Sequence, residues 1–430
     1  MSRRKAMMLG IGAAMSSVAL VLTGCSGGTG GSTNGKTTIQ LAWWGSKTRN
    51  DATVAVIKKF EKKYPKIDVK PVFTGWEGYW SKLSTQVAGG TAPDVIQMST
   101  TDLRSYADKS VLADMSKLPI NTSSLDKSAL KAGTVDGKLY AIPSGMNTPV
   151  MMYDPAILKK AGVSIDPTQQ LTWTKFAKLA QKIHKSDPKV YGTPNDMDLF
   201  HVLKLYVRNR GQDFYSADGK SLGFSKSVLR DWFNYWMKLQ KEGVAPSAEY
   251  SASYAYGEVQ KFPIVKKKTA FDFGLSNQFT TFAQLANRPL KMTLVPKMDN
   301  GKNEYFLTPN MFWSISAKTE SAKASAKLVD FLLHNKSAIK KIGTDRGIPI
   351  NAAARKQLAS NASGDEKSVI DFVSDVKKTA GPPLPVLPAG SGHILDLLHS
   401  VGQKVEFGKL TTSEGVDEFF SKAKSILQKG

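Results

Sequence analysis

The sequence predicts an α/β protein made of two lobes, and three observations predict it. Strand-like and helix-like segments alternate between Thr38 and Met98, which is typical of a parallel sheet with helices on its faces. A broken β-like stretch at Asp136–Asp154 is typical of a chain that leaves one domain and enters another. About 390 residues remain after the N-terminal leader and tether described below, which is enough for two domains of ordinary size.

The first segments follow one another in the order strand, helix, strand, helix, strand. They are a strand at Thr38–Trp43, a helix at Asn50–Tyr64, a strand at Ile67–Phe73, a helix that contains Tyr79, Leu83 and Val87, and a strand at Asp94–Met98. This order predicts parallel strands joined by right-handed crossovers. Because ligands bind beyond the carboxyl ends of such strands, a site is expected near residues 43–45, 74–76 and 99–102.

The alternation continues in the second half of the chain. Helices are predicted after Thr172, at Asp198–Arg210, around Trp232 and Trp236, and at Ser321–Leu333, with strands at Thr269–Phe273, Lys291–Val295 and Phe312–Ser316. The two tryptophans share one helix face, which favours a place in the core. Two amphipathic helices close the chain. We therefore expect a second sheet, again flanked by helices.

The change of domain is predicted between Asp136 and Asp154. Asp136-Gly137 is a two-residue turn signal, and Ser144-Gly145 separates two short β-like runs. We interpret residues 145–149 as a crossing between the lobes, with Asn147, Thr148 and Pro149 as a hinge and a return of the chain near residues 308–312. The alternative is an ordinary β-hairpin inside one domain.

The N-terminal residues have the pattern of a secretion leader. A basic segment, residues 3–5, precedes an uncharged apolar run at Met7–Leu22, which at about sixteen residues is short for a membrane-spanning helix. The run leads into Leu22-Thr23-Gly24-Cys25, which resembles a bacterial lipobox, whose cysteine carries acyl chains such as palmitate. Cys25 is the only cysteine, so the chain has no internal disulfide. The alternative is an uncleaved anchor with an incidental cysteine.

The charge is strongly positive but spread along the chain. The formal net charge is +23, from 59 Lys and Arg against 36 Asp and Glu. Most of the excess is lysine scattered over predicted helices, which is typical of a solvated surface. Nucleic-acid binding favours clustered arginine with interleaved aromatics instead. We therefore expect no nucleic-acid partner.

Motifs for catalysis or metal binding are missing from the sequence. The five histidines show no HxxxH spacing, and neither a GxSxG elbow nor a phosphate-binding loop occurs. This pattern favours a binding protein over an enzyme, with no metal and no cofactor. A glycosidase needs only two apposed carboxylates, so the residues alone leave that class open.

Several motifs, in order, resemble extracellular solute-binding proteins of ABC importers, the group that includes maltose-binding protein. They are TAPDVIQM at 91–98, DGKLYAIP at 136–143, LTWTKFAKLA at 171–180, a segment that begins FWSISAK at 312, and DRGIPIN at 345–351. Lys175 stands where that group often has an acidic residue. The resemblance covers most of the mature chain. It implies a periplasmic-binding-protein-like fold, in which two lobes, each a mainly parallel sheet flanked by helices, enclose a ligand cleft.

The resemblance also implies how the chain is divided. A lipoprotein signal peptide is expected at residues 1–24 and a flexible tether, rich in Gly, Ser and Thr, at residues 25–37. The first lobe is expected to contain residues 38–147 and 309–345, and the second lobe residues 148–308 and 346–430.

The expected ligand contacts combine aromatic and polar side chains. A sugar presents C–H patches on its ring faces and hydroxyl groups at its edge, so its site needs planar rings and hydrogen-bonding groups. The expected contacts are Trp44, Trp76, Thr101, Asp102, Asn147, Asp198, Asn277, Trp313 and Arg346. Structural roles are the alternative: Trp43 or Trp44 belongs to the core, Asp198 caps a helix, and Arg346 pairs with Asp345.

The function implied by the resemblance is that of a carbohydrate-binding subunit of an ABC importer. The protein would bind its sugar without a cofactor, as a monomer, and deliver it to membrane permease subunits. It would be held by lipid on the extracellular face of the cell membrane of a Gram-positive-like bacterium. Two alternatives remain at this point: a secreted glycoside-active enzyme, and an iron binder that uses paired tyrosines among Tyr250, Tyr254 and Tyr256.

Overall fold

The computed structural model describes residues 35–167, 169–254, 259–301, 304–381, 384 and 386–429. The expected signal peptide, the acylation site Cys25 and the tether up to residue 34 lie outside the described residues. Within the described ranges, no helix is both long enough and apolar enough to cross a membrane.

Helices and strands alternate along most of the described chain. The strands are β1 (Thr37–Trp44), β2 (Ile67–Thr74), β3 (Val95–Ser99), β4 (Thr134–Val135), β5 (Lys138–Leu139), β6 (Ile142–Pro143), β7 (Pro149–Tyr153), β8 (Phe271–Leu275), β9 (Lys291–Thr293) and β10 (Met311–Ile315). The α-helices are α1 (Lys47–Lys63), α2 (Trp76–Ala88), α3 (Leu103–Asp108), α4 (Lys127–Leu130), α5 (Pro155–Lys160), α6 (Trp173–Ser186), α7 (Phe200–Arg208), α8 (Lys226–Lys241), α9 (Ala248–Ala252), α10 (Phe279–Ala286), α11 (Ala322–His334), α12 (Lys336–Ile342), α13 (Ala352–Asn361), α14 (Gly364–Thr379), α15 (Ser391–Glu406) and α16 (Thr412–Lys429).

The first lobe is built on a five-stranded sheet with the order β2-β1-β3-β10-β6. Strand β1 pairs in parallel with β2 and with β3, which confirms the parallel βαβαβ arrangement that the sequence predicts. Strand β10 joins the sheet antiparallel to both β3 and β6. The chain therefore returns to the first sheet after its excursion into the second lobe.

The second lobe contains a three-stranded sheet with the order β8-β7-β9. Both pairings in this sheet are antiparallel, so the prediction of a mainly parallel sheet is wrong for this lobe. The reason is the direction of the central strand. Strand β7 is the strand that enters from the first lobe, and β8 and β9 both run opposite to it.

Helices cover both faces of the first sheet, and the alternation of β1 separates two cores. Ile39, Leu41 and Trp43 pack with residues of α1 and α11 on one face. Ala42 and Trp44 pack with residues of α2 and α3 on the other. The adjacent tryptophans therefore serve different cores, and Trp43 is the one that is fully buried.

The core of the second lobe is rich in aromatic rings from several helices. Trp173 of α6 lies 5.2 Å from Trp232 of α8, measured between ring centroids, and Trp232 lies 5.3 Å from Trp236. Both Trp232 and Trp236 are fully buried, which confirms their predicted place in the core.

The chain passes between the two sheets at three neighbouring places. Strands β6 and β7 belong to different sheets, which excludes a hairpin within one domain and supports the crossing predicted at residues 145–149. Asn147 exchanges two backbone hydrogen bonds of 2.9 Å with Thr308 in the second crossing. Met146 exchanges bonds of 2.8 and 2.9 Å with Ile348 in the third crossing.

The first and third crossings approach so closely that glycine is required. A Cβ added to Gly145 would lie 2.6 Å from the carbonyl carbon of Gly347, which is far inside van der Waals contact. Gly347 itself has a φ of 97°, a conformation that other residues rarely adopt. The close approach at Gly145 and the positive φ of Gly347 are the physical reasons why both crossing segments carry a glycine at this point.

Candidate functional site

A cavity of about 350 Å³ lies between the two sheets, beyond the carboxyl ends of β1, β3 and β8. Its lining from the first lobe includes Trp44, Gly45, Ser46, Arg49, Gly75, Trp76, Ser99, Thr100 and Thr101. Its lining from the second lobe includes Asn195, Asp196, Asp198, His201, Lys204, Tyr254, Phe273, Asn277, His399, Gln403 and Glu406. Residues 308–311 of the second crossing and Asp345 of the third also contact the cavity.

An aromatic wall forms the first-lobe side of the cavity. Trp44 is the last residue of β1 and Trp76 the first residue of α2, and their rings meet edge to face at 5.1 Å and 79°. Tyr79 and Trp80 pack against them from α2, at 5.2 Å from Trp44 and 5.5 Å from Trp76, respectively. These contacts hold both tryptophan rings in place beside the cavity, as stacking on a sugar ring requires.

Hydroxyl groups follow β3 and are held by one carboxylate. Ser99 donates a 2.5 Å hydrogen bond to Asp102 Oδ2, and Thr101 donates one of 2.8 Å to the same oxygen. Burial raises the pKa of Asp102, and these hydroxyl groups counteract it. Thr101 lines the cavity as predicted, whereas Asp102 is absent from the lining and positions the hydroxyls instead.

Asp198 reaches the cavity from the loop before α7 and contacts His399 of α15. The carboxylate of Asp198 and Nδ1 of His399 form a short hydrogen bond. Helix α7 begins at Phe200 after Leu199, so Asp198 does not cap it. His399, Gln403 and Glu406 lie at helical spacing along α15, and all three line the cavity.

Two further acids on this wall, Glu406 and Asp196, have raised pKa values. Burial raises the pKa of Glu406 to about 9, and the nearby charge of Asp198 adds to the effect. Burial, together with Asp272, Asp198 and Glu406, raises the pKa of Asp196 well above its ordinary value. Oδ2 of Asp196 is buried and has no hydrogen-bond partner. Protonated carboxyl groups can donate to the oxygen atoms of a ligand.

Asn277 stands just after β8, on the second-lobe side, and is 2% exposed. Its Nδ2 donates a 2.8 Å hydrogen bond to the backbone oxygen of Asp345. Its Oδ1 is buried without a partner. An unsatisfied acceptor in a cavity wall is costly, so a hydrogen-bond donor from a ligand would stabilise it.

Besides Asp102, three predicted contacts do not line the cavity, and Asn147 is the first of these. It is fully buried in the first crossing, and its Nδ2 donates to Oδ1 of Asn310. Asn147 therefore holds the first and second crossings together, and its assignment as a ligand contact is corrected.

Trp313 and Arg346 form a buried pair in the first lobe, and their assignment to the cleft is also corrected. Each is 2% exposed, and the guanidinium of Arg346 lies 5.1 Å from the ring centroid of Trp313. Arg346 donates 2.9 Å hydrogen bonds to Gln97 and to Thr53. Burial of Trp313 within β10 and the bonds of Arg346 to first-lobe side chains leave neither group facing the cavity.

The structure adds cavity residues that sequence reasoning did not single out. They are His201 and Lys204 on α7, and His399, Gln403 and Glu406 on α15. Helical periodicity gave no signal for them, because a cavity-facing stripe has the same spacing as a core-facing stripe. Within the described ranges, no group of three or more His, Cys, Asp and Glu side chains is placed to hold a metal ion.

Two α/β lobes joined by three crossings, with a mixed aromatic and polar cavity between them, define a solute-binding protein by fold and site. The sequence profile of the family described as bacterial extracellular solute-binding protein matches residues 55–366. That match covers well over half of the chain. The chain therefore belongs to the family of bacterial extracellular solute-binding proteins.

Named relatives agree with this family. An arabinooligosaccharide-binding protein of Bacillus subtilis is 27% identical over 207 residues, or 47% of each protein, so the chain spans about half the length of this curated relative. A galactooligosaccharide-binding protein of the same organism is 21% identical over 90% of each chain. The solved structure of an extracellular solute-binding protein family 1 from Alicyclobacillus acidocaldarius is 32% identical, covers 92% of this chain and 100% of its own, and has a TM-score of 0.65.

Proposed function

We propose that the protein is the lipid-anchored solute-binding subunit of an ABC importer and captures a carbohydrate, most simply an oligosaccharide, between its lobes. The proposal rests on one observation: the two lobes give the cavity two chemically different walls. Trp44 and Trp76 offer ring surfaces, and Asn277, Asp198 and Glu406 offer hydrogen-bonding groups opposite them. Sugars have both kinds of surface. The names of the two Bacillus subtilis relatives support the same ligand class.

The working cycle is reversible closure of the lobes around the ligand. The crossings act as the hinge, the sugar stabilises the closed form, and membrane permease subunits accept that form. Binding is noncovalent, needs no cofactor and involves one chain. Acyl chains on Cys25 hold the protein on the extracellular face of the membrane of a Gram-positive-like bacterium, and each buried CH₂ group contributes about 0.8 kcal/mol to that anchoring.

A secreted glycoside-active enzyme is the second candidate, and the acids on the second-lobe wall favour it. A carboxyl group with a raised pKa, such as that of Glu406, has the property of a general acid, and Asp198 lies close enough to influence it. The family and the named relatives are binding proteins, which weighs against turnover. The proposal is therefore a binder without catalytic residues.

An iron-binding function has weaker support. Tyr254 lines the cavity and packs at 5.6 Å from Tyr250, whereas Tyr256 lies outside the described residues. Burial raises the pKa of Tyr254 well above its ordinary value, which disfavours the phenolate that iron requires. The tryptophan wall suits a neutral ring face better than a metal complex.

The proposal is tested by thermal-shift measurements across a panel of oligosaccharides, combined with a reducing-end assay on the same mixtures. A ligand at about 100 times its Kd should add about 2.7 kcal/mol to the free energy of unfolding. Stabilisation by a sugar that remains intact supports the importer subunit. Release of new reducing ends would replace it with the enzyme, and a panel without any stabilising sugar would contradict carbohydrate binding.

A further inference from the structure

Lys204 is a buried lysine in the wall of the cavity. It lies on α7, is 8% exposed, and its Nζ sits 5.8 Å from the ring centroid of Phe200 and 5.6 Å from that of Phe306. No hydrogen bond or ion pair of this amine is found among the residues that the structure describes. Lysines with so little exposure are usually paired with an acid. Among the described residues, this amine therefore has no acid bonded to it.

The surroundings of Lys204 raise the free-energy cost of keeping its amine protonated. Burial, together with the positive charge of Arg208, lowers the pKa of Lys204 to about 7, and Asp213 counteracts this only in part. Arg208, by contrast, is paired with Asp213 at 2.8 Å and with Glu304 at 3.3 Å. An anion placed beside Lys204 would remove this cost, because an opposite charge stabilises the protonated amine.

Four other ionic groups of the cavity wall are paired with one another. Arg49 pairs with Asp345 at 2.7 Å, and Asp198 is bonded to His399. Lys204 differs from all four, because its contacts are with aromatic rings.

The buried acids of the wall do not supply the missing counter-charge. Burial raises the pKa of both Asp196 and Glu406, and Glu406, whose pKa is raised to about 9, holds its proton at neutral pH. His201, one turn before Lys204 on α7, is neutral at physiological pH because burial lowers its pKa to about 4. With Glu406 and His201 uncharged, a carboxylate that enters the cavity meets the amine of Lys204, which has no bonded partner among the described residues, and a hydrogen-bond donor in the carboxyl group of Glu406.

We propose that the preferred ligand is an acidic carbohydrate, a sugar that bears a carboxylate, and that Lys204 is the residue that selects it. This inference rests on the proposed function and narrows its substrate class. The amine would donate charge-assisted hydrogen bonds to the carboxylate beside the apolar faces of Phe200 and Phe306, where water competes weakly. The formal net charge of +23 favours the approach of such a ligand.

The test compares matched neutral and acidic sugars by calorimetric titration. The probes are α-1,4-linked galactobiose with digalacturonic acid, and cellobiose with cellobiouronic acid. Each is titrated into the wild-type protein, into Lys204→Met and into Lys238→Met, a control in which an exposed lysine of α8 is removed. In at least one pair, the acidic sugar should bind the wild type about tenfold more tightly or better. Lys204→Met should abolish that preference, leave the affinity for the neutral partner within about threefold, and keep or raise the melting temperature.

Two results would overturn the inference. Equal or tighter binding of the neutral member in both pairs removes acidic selectivity while carbohydrate binding stands. Equal weakening of both members by Lys204→Met shows that the amine has no selective role. If no sugar of either kind binds, in these pairs or in the broader panel, the proposed function fails and the inference fails with it.

Discussion

Asn277 of the second lobe donates a 2.8 Å hydrogen bond to the backbone oxygen of Asp345 in the third crossing. The carboxylate of the same Asp345 accepts a 2.7 Å bond from Arg49 of the first lobe. Side chains of both lobes therefore meet at one residue beside the cavity. A rotation of the lobes would alter this meeting point, which links the cavity-lining side chain of Asn277 to the third crossing.

Asn277→Ala should weaken carbohydrate binding by about tenfold or more, because it removes both the unpaired acceptor Oδ1 and the bond to Asp345. Titration calorimetry with the sugar found in the panel measures the effect. Asn361→Ala, which changes an exposed asparagine at the end of α13, is the matched control and should bind like the wild type. Unchanged affinity in Asn277→Ala would remove this residue from the site.

Trp76 and Trp313 should respond differently to truncation. Trp76→Ala should lower affinity by about 30-fold, because the ring at the cavity loses its stacking contact, while stability changes little. Trp313→Ala should lower the free energy of unfolding by about 3–5 kcal/mol, because it opens a cavity in the first-lobe core and leaves Arg346 without its ring contact. Denaturant unfolding and calorimetric titration of both variants separate the two effects. Loss of stability with intact affinity in Trp76→Ala would return Trp76 to the core.

Glu406 should make the unliganded protein less stable as the pH rises. An exposed glutamate ionises near 4.5, whereas folding raises the pKa of Glu406 to about 9. A raised pKa means that the folded state binds the proton more tightly, so the contribution is complete below about pH 4.5 and is lost as the pH approaches about 9. Glu406→Gln removes the ionisable carboxyl group and with it this loss of stability at high pH. The variant should melt at nearly the wild-type temperature near pH 5 and several degrees higher near pH 9.

Thermal melts of the two proteins between about pH 5 and about pH 9 test this directly, since all other titrating groups are shared. Glu320→Gln, at an exposed position, is the control and should follow the wild type at every pH. A constant difference between Glu406→Gln and the wild type across the range would show that Glu406 does not hold its proton in the fold.

Cys25→Ala should release the protein from the membrane fraction or leave it unprocessed, because the substitution removes the expected acylation site. Fractionation of cells that produce each form, with metabolic labelling by palmitate, measures the change. Processing, labelling and membrane attachment identical to those of the wild type would contradict the lipoprotein proposal, although carbohydrate binding would be unaffected.

The fold could be predicted from the sequence where periodicity and turns carry information. The alternation of β1 distinguishes Trp43 from Trp44, and the broken stretch before β7 marks the crossing. The strand direction of the second sheet could not be predicted, because direction depends on how the chain enters a sheet and not on which residues form strands.

The site could be predicted only in part. Trp44, Trp76, Thr101, Asp198 and Asn277 line the cavity as expected, whereas Trp313 was placed there wrongly. Strand β10 is buried on both faces, so its alternation does not show which side faces a ligand. Lys204 was missed because a lysine on a helix is normally exposed, and only the packing of Phe306 against it reveals its burial.

Closure of the two lobes around one carbohydrate is the central claim, and small-angle X-ray scattering during a titration with the bound sugar tests it most directly. The account predicts that the radius of gyration falls as sugar is added and reaches its lower value at one sugar per chain. The Trp76→Ala variant should need a higher sugar concentration to reach the same radius. A radius that stays constant at saturation, with every sugar that the protein binds, would contradict capture by closure.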